Sequence, residues 1–229
     1  MSEKKNVEQV ETGDEAIIKA KDFWAKNSKL ILGVGTALVL LVGGFFVYKN
    51  FFQAPKEEKA AEAMFKAEEY YRKDSVNLAL NGDGQYLGFL KIISKYSGTD
   101  AANLAHFYAG SCYIRMDDNA NAIKHLKDFS TDAKQVQQRA YKLLGDASAD
   151  LGKNADALDY YKKAAHHFEK DEAASAEALF LAGYFADRVM KNQKEAIALF
   201  KELKEKFPRT QQGFEADNYL AQLGVYNVN

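Results

Sequence analysis

Apolar and polar positions divide the chain into two regimes. Between Lys29 and Lys49 no charged residue interrupts the run from Leu30 to Tyr48, with Thr36 the only hydroxyl in its middle. At roughly 1.5 Å of rise per residue such a helix is about 28 Å long, close to the hydrocarbon thickness of a bilayer. Tyr48 and Phe51 fall where aromatic belts lie. The pattern predicts a single transmembrane helix over residues 28–50. The run is longer than the core of a signal peptide, and no small-x-small site follows it. Phe52-Gln53-Ala54 has the wrong residue at its first position, so the segment reads as an uncleaved anchor.

Residues 1–27 form a polar tail, with six acidic and six basic residues through Lys29. It is expected to be disordered apart from a short amphipathic helix through Ala16-Ile17-Ile18 and Phe23-Trp24. The lysines flanking the membrane run are balanced, four on each side, so the positive-inside rule does not decide orientation. The short tail is expected to stay in the cytoplasm. Gly33-x-x-x-Ala37 sets small residues one turn apart, spacing that supports close packing on another membrane helix and hence a homo-oligomer.

After the membrane run the apolar period becomes that of amphipathic helices, and the pattern repeats. Three segments share an aromatic residue, a small pair, a turn, an alanine and a large apolar residue. They are Phe107, Ala109-Gly110, Tyr113, Ala122 and Leu126; Tyr141, Leu144-Gly145, Ala157, Tyr161 and Ala164; and Phe180, Ala182-Gly183, Ala196 and Phe200, closed by Pro208. Gly110 and Gly145 are 35 residues apart, and Gly145 and Gly183 are 38. Small residues let paired helices approach closely, aromatics fill the space beside each contact, and one pair alone cannot bury its apolar face. Polar turns at Asp117-Asp118-Asn119, Gly152-Lys153-Asn154 and Lys191-Asn192-Gln193 separate the helices of each pair, with Gly152 placed as a C-cap. The expected organisation is all-α: a linker helix and degenerate leading repeat over 51–100, three helix pairs over 101–208, then a capping helix and tail over 209–229. Asn81-Gly82-Asp83-Gly84 reads as a turn, since a calcium loop needs more acidic ligands at fixed spacing.

These residues resemble the tetratricopeptide repeat family, and the second segment fits its pattern best. The resemblance implies an α-solenoid that binds proteins, with the first helix of each pair lining a groove. By position that groove would present Leu104, Phe107, Ser111, Ile114 and Arg115, then Arg139, Lys142, Asp146 and Asp150, then Phe180, Tyr184, Asp187 and Arg188. Arg139 with Lys142 has the chemistry to hold an acidic segment. The layout of short tail, anchor and repeat domain also looks like the ancillary subunit of the bacterial SecYEG translocon. The stretches Asn81-Gly82-Asp83-Gly84 and Lys95-Tyr96-Ser97-Gly98-Thr99 are similar to tetratricopeptide membrane proteins of the Bacteroidota. That resemblance implies an inner-membrane protein with a periplasmic domain, and partners among translocon subunits and periplasmic chaperones.

Composition narrows the rest. Only two prolines, Pro55 and Pro208, interrupt a helix-favouring sequence. The net charge of −1 gives no basic face for nucleic acid. The lone Cys112 excludes an intrachain disulfide and lies in an apolar helix, as a structural thiol does. His106, His125, His166 and His167 show no metal-ligand spacing, and no phosphate loop or nucleophile motif is present. No cofactor and no catalytic residue is expected, and the reading is a membrane-anchored protein-binding scaffold. The alternative is an envelope-assembly protein that self-associates through its membrane helix.

Overall fold

A computed structural model of the protein describes the backbone of residues 2–226 and the side chains of residues 17–226. It separates into two compact units, Met1–Pro55 and Lys56–Asn229. Among the described residues every named element is helical, and the only β-type contact is an isolated bridge between Gly82 and Leu87.

The first unit is built on α1, Ser2–Tyr48. The expected disordered tail is instead helical from Ser2. Residues 2–27 contain no proline and one glycine, and a preformed apolar helix supplies the nucleus from which helix propagates upstream. None of the side chains from Ile17 to Tyr48 is buried; Leu38 is 57% exposed and Leu41 73%. This is the one described helix long and apolar enough to cross a membrane. A π-helical turn, Lys49–Gln53, follows. Pro55, just beyond it, has no N–H to donate and its ring crowds the carbonyl four residues back. A widened turn at that place accommodates both defects.

The second unit begins within α2, Ala54–Arg72, and continues through α3 (Val76–Asn81), α4 (Phe89–Lys95), α5 (Asp100–Arg115), α6 (Asn119–Asp128), α7 (Lys134–Asp150), α8 (Asn154–His167), α9 (Glu172–Arg188), α10 (Gln193–Lys206) and α11 (Gln211–Gln222). From α4 onward each helix packs chiefly on the next, with α5 also touching α7 and α9 touching α11. That nearest-neighbour pattern is the signature of a solenoid. The core is correspondingly a chain of clusters, around Phe89, Ile92 and Ala105, then Leu126 and Leu144, then Leu179, Phe200 and Leu220.

Three glycines set the spacing within pairs. A Cβ on Gly110 would fall 2.5 Å from Leu126, on Gly145 2.6 Å from the Tyr161 ring, and on Gly183 2.9 Å from the Phe200 ring. Each glycine thus receives the large side chain of the paired second helix. The turns that follow the first helices need a left-handed residue, supplied by Asp117 (φ 58°), Gly152 (φ 68°) and Lys191 (φ 55°). Capping is side-chain mediated at most starts: Thr99, Asp118, Asp171, Asn192 and Thr210 each accept a backbone N–H three residues on. Helix α5 gains a second cap from α2, because the Glu57 carboxylate accepts the N–H groups of Asp100 at 2.7 Å and Ala101 at 2.8 Å. The Asn81–Gly84 segment closes as a turn: the Asp83 carboxylate accepts Gln85 N–H, Tyr86 N–H and the Tyr70 hydroxyl.

Two substitutions test this frame with opposite signs in urea unfolding. Gly145→Ala forces a methyl into the Tyr161 ring and is expected to destabilise the repeat unit by about 1–3 kcal/mol. Lys191→Gly relieves a left-handed lysine and is expected to stabilise it by roughly 0.5–1 kcal/mol.

Candidate partner-binding surface

The first helices α5, α7 and α9 lie side by side, and two equivalent grooves run between them. One, of about 380 Å³, is bounded by Gln138, Arg139 and Lys142 of α7 and by Asp171, Ala174 and Glu177 at the start of α9. The other, of about 820 Å³, lies between α5 and α7 and takes apolar lining from Leu104, Phe129, Val136 and Tyr141. The ring of Tyr141 is fixed edge-on against His167 at 5.3 Å.

The polar groove has a defined charge arrangement. Lys142 is half-buried and lies 3.3 Å from Asp146 and 3.5 Å from Glu177, so its charge is balanced within the groove. Asp171 caps α9 by accepting the N–H of Ala174. Arg139 is exposed and makes no hydrogen bond or ion pair among the described residues. Beneath it Gln138 is 3% exposed. Its amide donates to the Ala164 carbonyl and to the Ser175 hydroxyl, both at 2.9 Å, and ties α7 to α8 and α9. Its Oε1 is a buried acceptor with no donor, a condition that buried polar groups rarely hold.

The other expected groove residues are distributed differently. Phe107 is 8% exposed and packs on Phe129, and Ser111 is buried with its hydroxyl donating to the Phe107 carbonyl. Ile114 is half-buried against the same cluster. Arg115 turns toward the leading repeat, with its guanidinium 4.3 Å from the Tyr71 ring centroid and 2.9 Å from Asp74. Asp146 is committed to α8, accepting the Tyr161 hydroxyl at 3.0 Å; burial and then this carboxylate push the phenol pKa upward. Phe180 stacks among Tyr184, Phe200 and Tyr219, and Tyr184 is 42% exposed. Arg188 donates to Gln222 of α11 and pairs with Asp187, itself buried. Of the thirteen positions, Arg139 and Lys142 share the polar groove and Leu104 lines the other. On α1, Gly33 has no neighbouring atom within 4 Å and its face is open.

Gln138 escaped the sequence reading. Its signal is a polar residue in the buried phase of α7, seven positions before Gly145. The pairing of His106 with His125 escaped it too, because no local spacing joins residues on separate helices. Their Nδ1 atoms lie 3.2 Å apart. Burial lowers both pKa values. For His125 the neighbouring His106 and Lys124 add to this, and Asp128 opposes it at both rings. Cys112 is fully buried, and burial pushes its pKa up to about 12, as befits an inert core thiol.

The tetratricopeptide repeat family model matches residues 104–133 and 177–210. These spans cover the α5–α6 pair and the α9–α10 pair; α7–α8 lies between them with the same contact of a first-helix glycine on a large second-helix side chain. No curated protein matches the chain significantly. Tetratricopeptide repeats indicate a protein–protein interaction scaffold, here in a chain that also carries a helix long and apolar enough to span a bilayer.

The histidine pair gives a pH prediction. Both folded pKa values lie below the unfolded value of about 6.5, so the unfolded chain binds more protons in that range. The contribution is present above about pH 6.5 and is lost as pH falls through the folded values. Melting temperature should therefore drop between pH 7 and pH 5, and His125→Phe, which keeps the stack on Tyr113, should flatten that slope.

Proposed function

We propose that the protein is a membrane-anchored scaffold whose α5–α7–α9 face holds an extended, acidic segment of a protein partner. The observation that carries this reading is Arg139: an exposed guanidinium with no hydrogen bond or ion pair among the described residues, beside a lysine already paired with Asp146 and Glu177. A carboxylate forms two parallel hydrogen bonds with such a group. The neighbouring apolar groove along α5 suits a large apolar side chain on the same segment. Together they favour a ligand with an apolar residue and an acidic residue a few positions apart, bound in extended form.

The cellular reading follows the layout of the chain. The repeat unit lies on the far side of the bilayer from the N-terminal tail, in the periplasm, and its partners belong to the secretion or chaperone machinery of the inner membrane, such as the Sec translocon. The support is the order of tail, apolar helix and repeat domain together with the resemblance drawn from it. A second reading, self-association, is favoured by the open face of Gly33 and Ala37; Leu at both positions would then abolish oligomers in detergent.

Two measurements decide between these. In a Cys112→Ala background, a cysteine placed at residue 229 should react with an impermeant maleimide once the outer membrane alone is opened. Protection until the inner membrane is lysed would place the repeats in the cytoplasm and end the secretion reading. A photo-crosslinking residue at Gln135, on the groove rim, should trap a protein adduct in cells. Arg139→Glu should weaken that adduct at least about tenfold, given the strength of a charge-assisted pair. An adduct unaffected by Arg139→Glu would remove the acidic-segment proposal.

A further inference from the structure

The free charges on the two flanks of α7 have opposite signs. Toward α9 the unpaired group is the Arg139 guanidinium, since Lys142 is met by Asp146 and Glu177. Toward α5 the groove is lined by Asp100 and Asp132. Both are exposed, and neither carboxylate makes a hydrogen bond or ion pair among the described residues. His167 is the one basic side chain in that lining.

Neither carboxylate is a helix cap, although they lie at the starts of α5 and α7. At α5 the backbone donors go to the Thr99 hydroxyl and the Glu57 carboxylate. At α7 the Ala133 N–H goes to the Thr131 hydroxyl. The groove itself is already formed. Asn103 of α5 donates to the Ser130 carbonyl at 2.7 Å and accepts the Ser130 N–H at 3.2 Å. Gln137 of α7 accepts the Thr131 N–H at 3.0 Å. Asp132 therefore rides on a connection pinned to both helices.

Inside the two carboxylates the lining turns apolar, with half-buried Leu104, Val136 and Tyr141. An acidic rim beside apolar and aromatic walls complements a lysine or arginine. The aliphatic stem packs on the apolar side chains, the cationic head meets the carboxylates, and an aromatic ring adds attraction for the cation. Packed helices stand about 8–10 Å apart, and an extended chain advances about 3.3 Å per residue. A segment crossing α7 from one groove to the other covers that distance in about three or four residues.

We infer that the protein selects a segment carrying both charge signs. A lysine or arginine meets Asp100 and Asp132, an acidic residue meets Arg139 about three or four positions away, and the apolar residue lies between them. This inference rests on the acidic-segment reading above. It adds a second recognition element and a fixed polarity of the segment across α7.

The test uses the full chain in detergent as bait for random decapeptides displayed on phage, followed by labelled synthetic copies of the enriched peptides. Those peptides should pair Asp or Glu with Lys or Arg at the stated spacing. Replacing the basic residue of a peptide by glutamine should raise Kd roughly two- to fivefold at low salt, the range of an exposed ion pair. Sodium chloride at about 0.5 M should erase the difference. The double variant Asp100→Asn, Asp132→Asn should bind both peptides equally, and Arg139→Glu should still weaken binding in that background. Because both carboxylates are exposed and unbonded, its melting temperature should match that of the wild type, which separates lost recognition from lost folding. Enrichment of acidic peptides without a basic partner overturns this inference and leaves the acidic-segment reading standing. So does a glutamine penalty that persists in the double variant. No enrichment, or enrichment that Arg139→Glu does not reduce, overturns both.

Discussion

The repeat unit depends on three places where one helix reaches the backbone of another. At Gly110, Gly145 and Gly183 the missing Cβ is replaced by Leu126, Tyr161 and Phe200 from the paired helix. Because each of these side chains is nearly or fully buried, the contact fixes both the separation and the axial register of its pair. Neighbouring pairs then stack through alanine-rich seams, Ala140 and Ala147 on α7 and Ala178, Ala182 and Ala186 on α9. The grooves between first helices are a by-product of that spacing: helices held so close to their own partners leave a furrow toward the next pair. Dispersion and apolar burial stabilise the stack, and polar groups such as Gln138 and Glu57 fix which parts meet.

Most of the repeat architecture was legible from residue type and spacing. Gly110, Gly145 and Gly183 could be aligned by eye, and each lies opposite the large residue that the pattern placed in the second helix. The left-handed turn at Gly152 was legible for the same reason, since glycine announces its conformation. Asp117 and Lys191 occupy the equivalent turns without announcing it, because the surrounding helices impose the left-handed geometry on residues that do not prefer it. Helix in residues 2–27 was missed because equal numbers of acidic and basic residues suggest a solvated tail, whereas the apolar helix downstream supplies the nucleus.

The candidate site was less legible. Position along a first helix says which residues face a groove only to within about a quarter turn, and neighbours decide the rest. Phe107 and Ser111 share a stripe with Arg139 and Lys142, yet the former are drawn into the seam with α6 and α7. Arg115 has an aromatic ring and a carboxylate supplied by the leading repeat, which the repeat pattern does not specify. Arg188 meets Gln222 because a further helix follows. Arg139 stands apart because its neighbours' charges are spent on one another, a property of the assembled set and not of any residue type.

Glu57 has a mechanical consequence. The first core residue of α2 is Ala60, and Glu57 precedes it, two residues after Pro55. Load entering the repeat unit at Lys56 therefore meets the polar contacts of Lys56 and Glu57 before it meets the packed core. That carboxylate holds the N–H groups of Asp100 and Ala101, and Lys56 holds the Ser97 carbonyl. A pull applied at Lys56 is thus shared at once between α2 and the start of α5, more than forty residues further along, through a polar clasp that lies ahead of the hydrophobic seams.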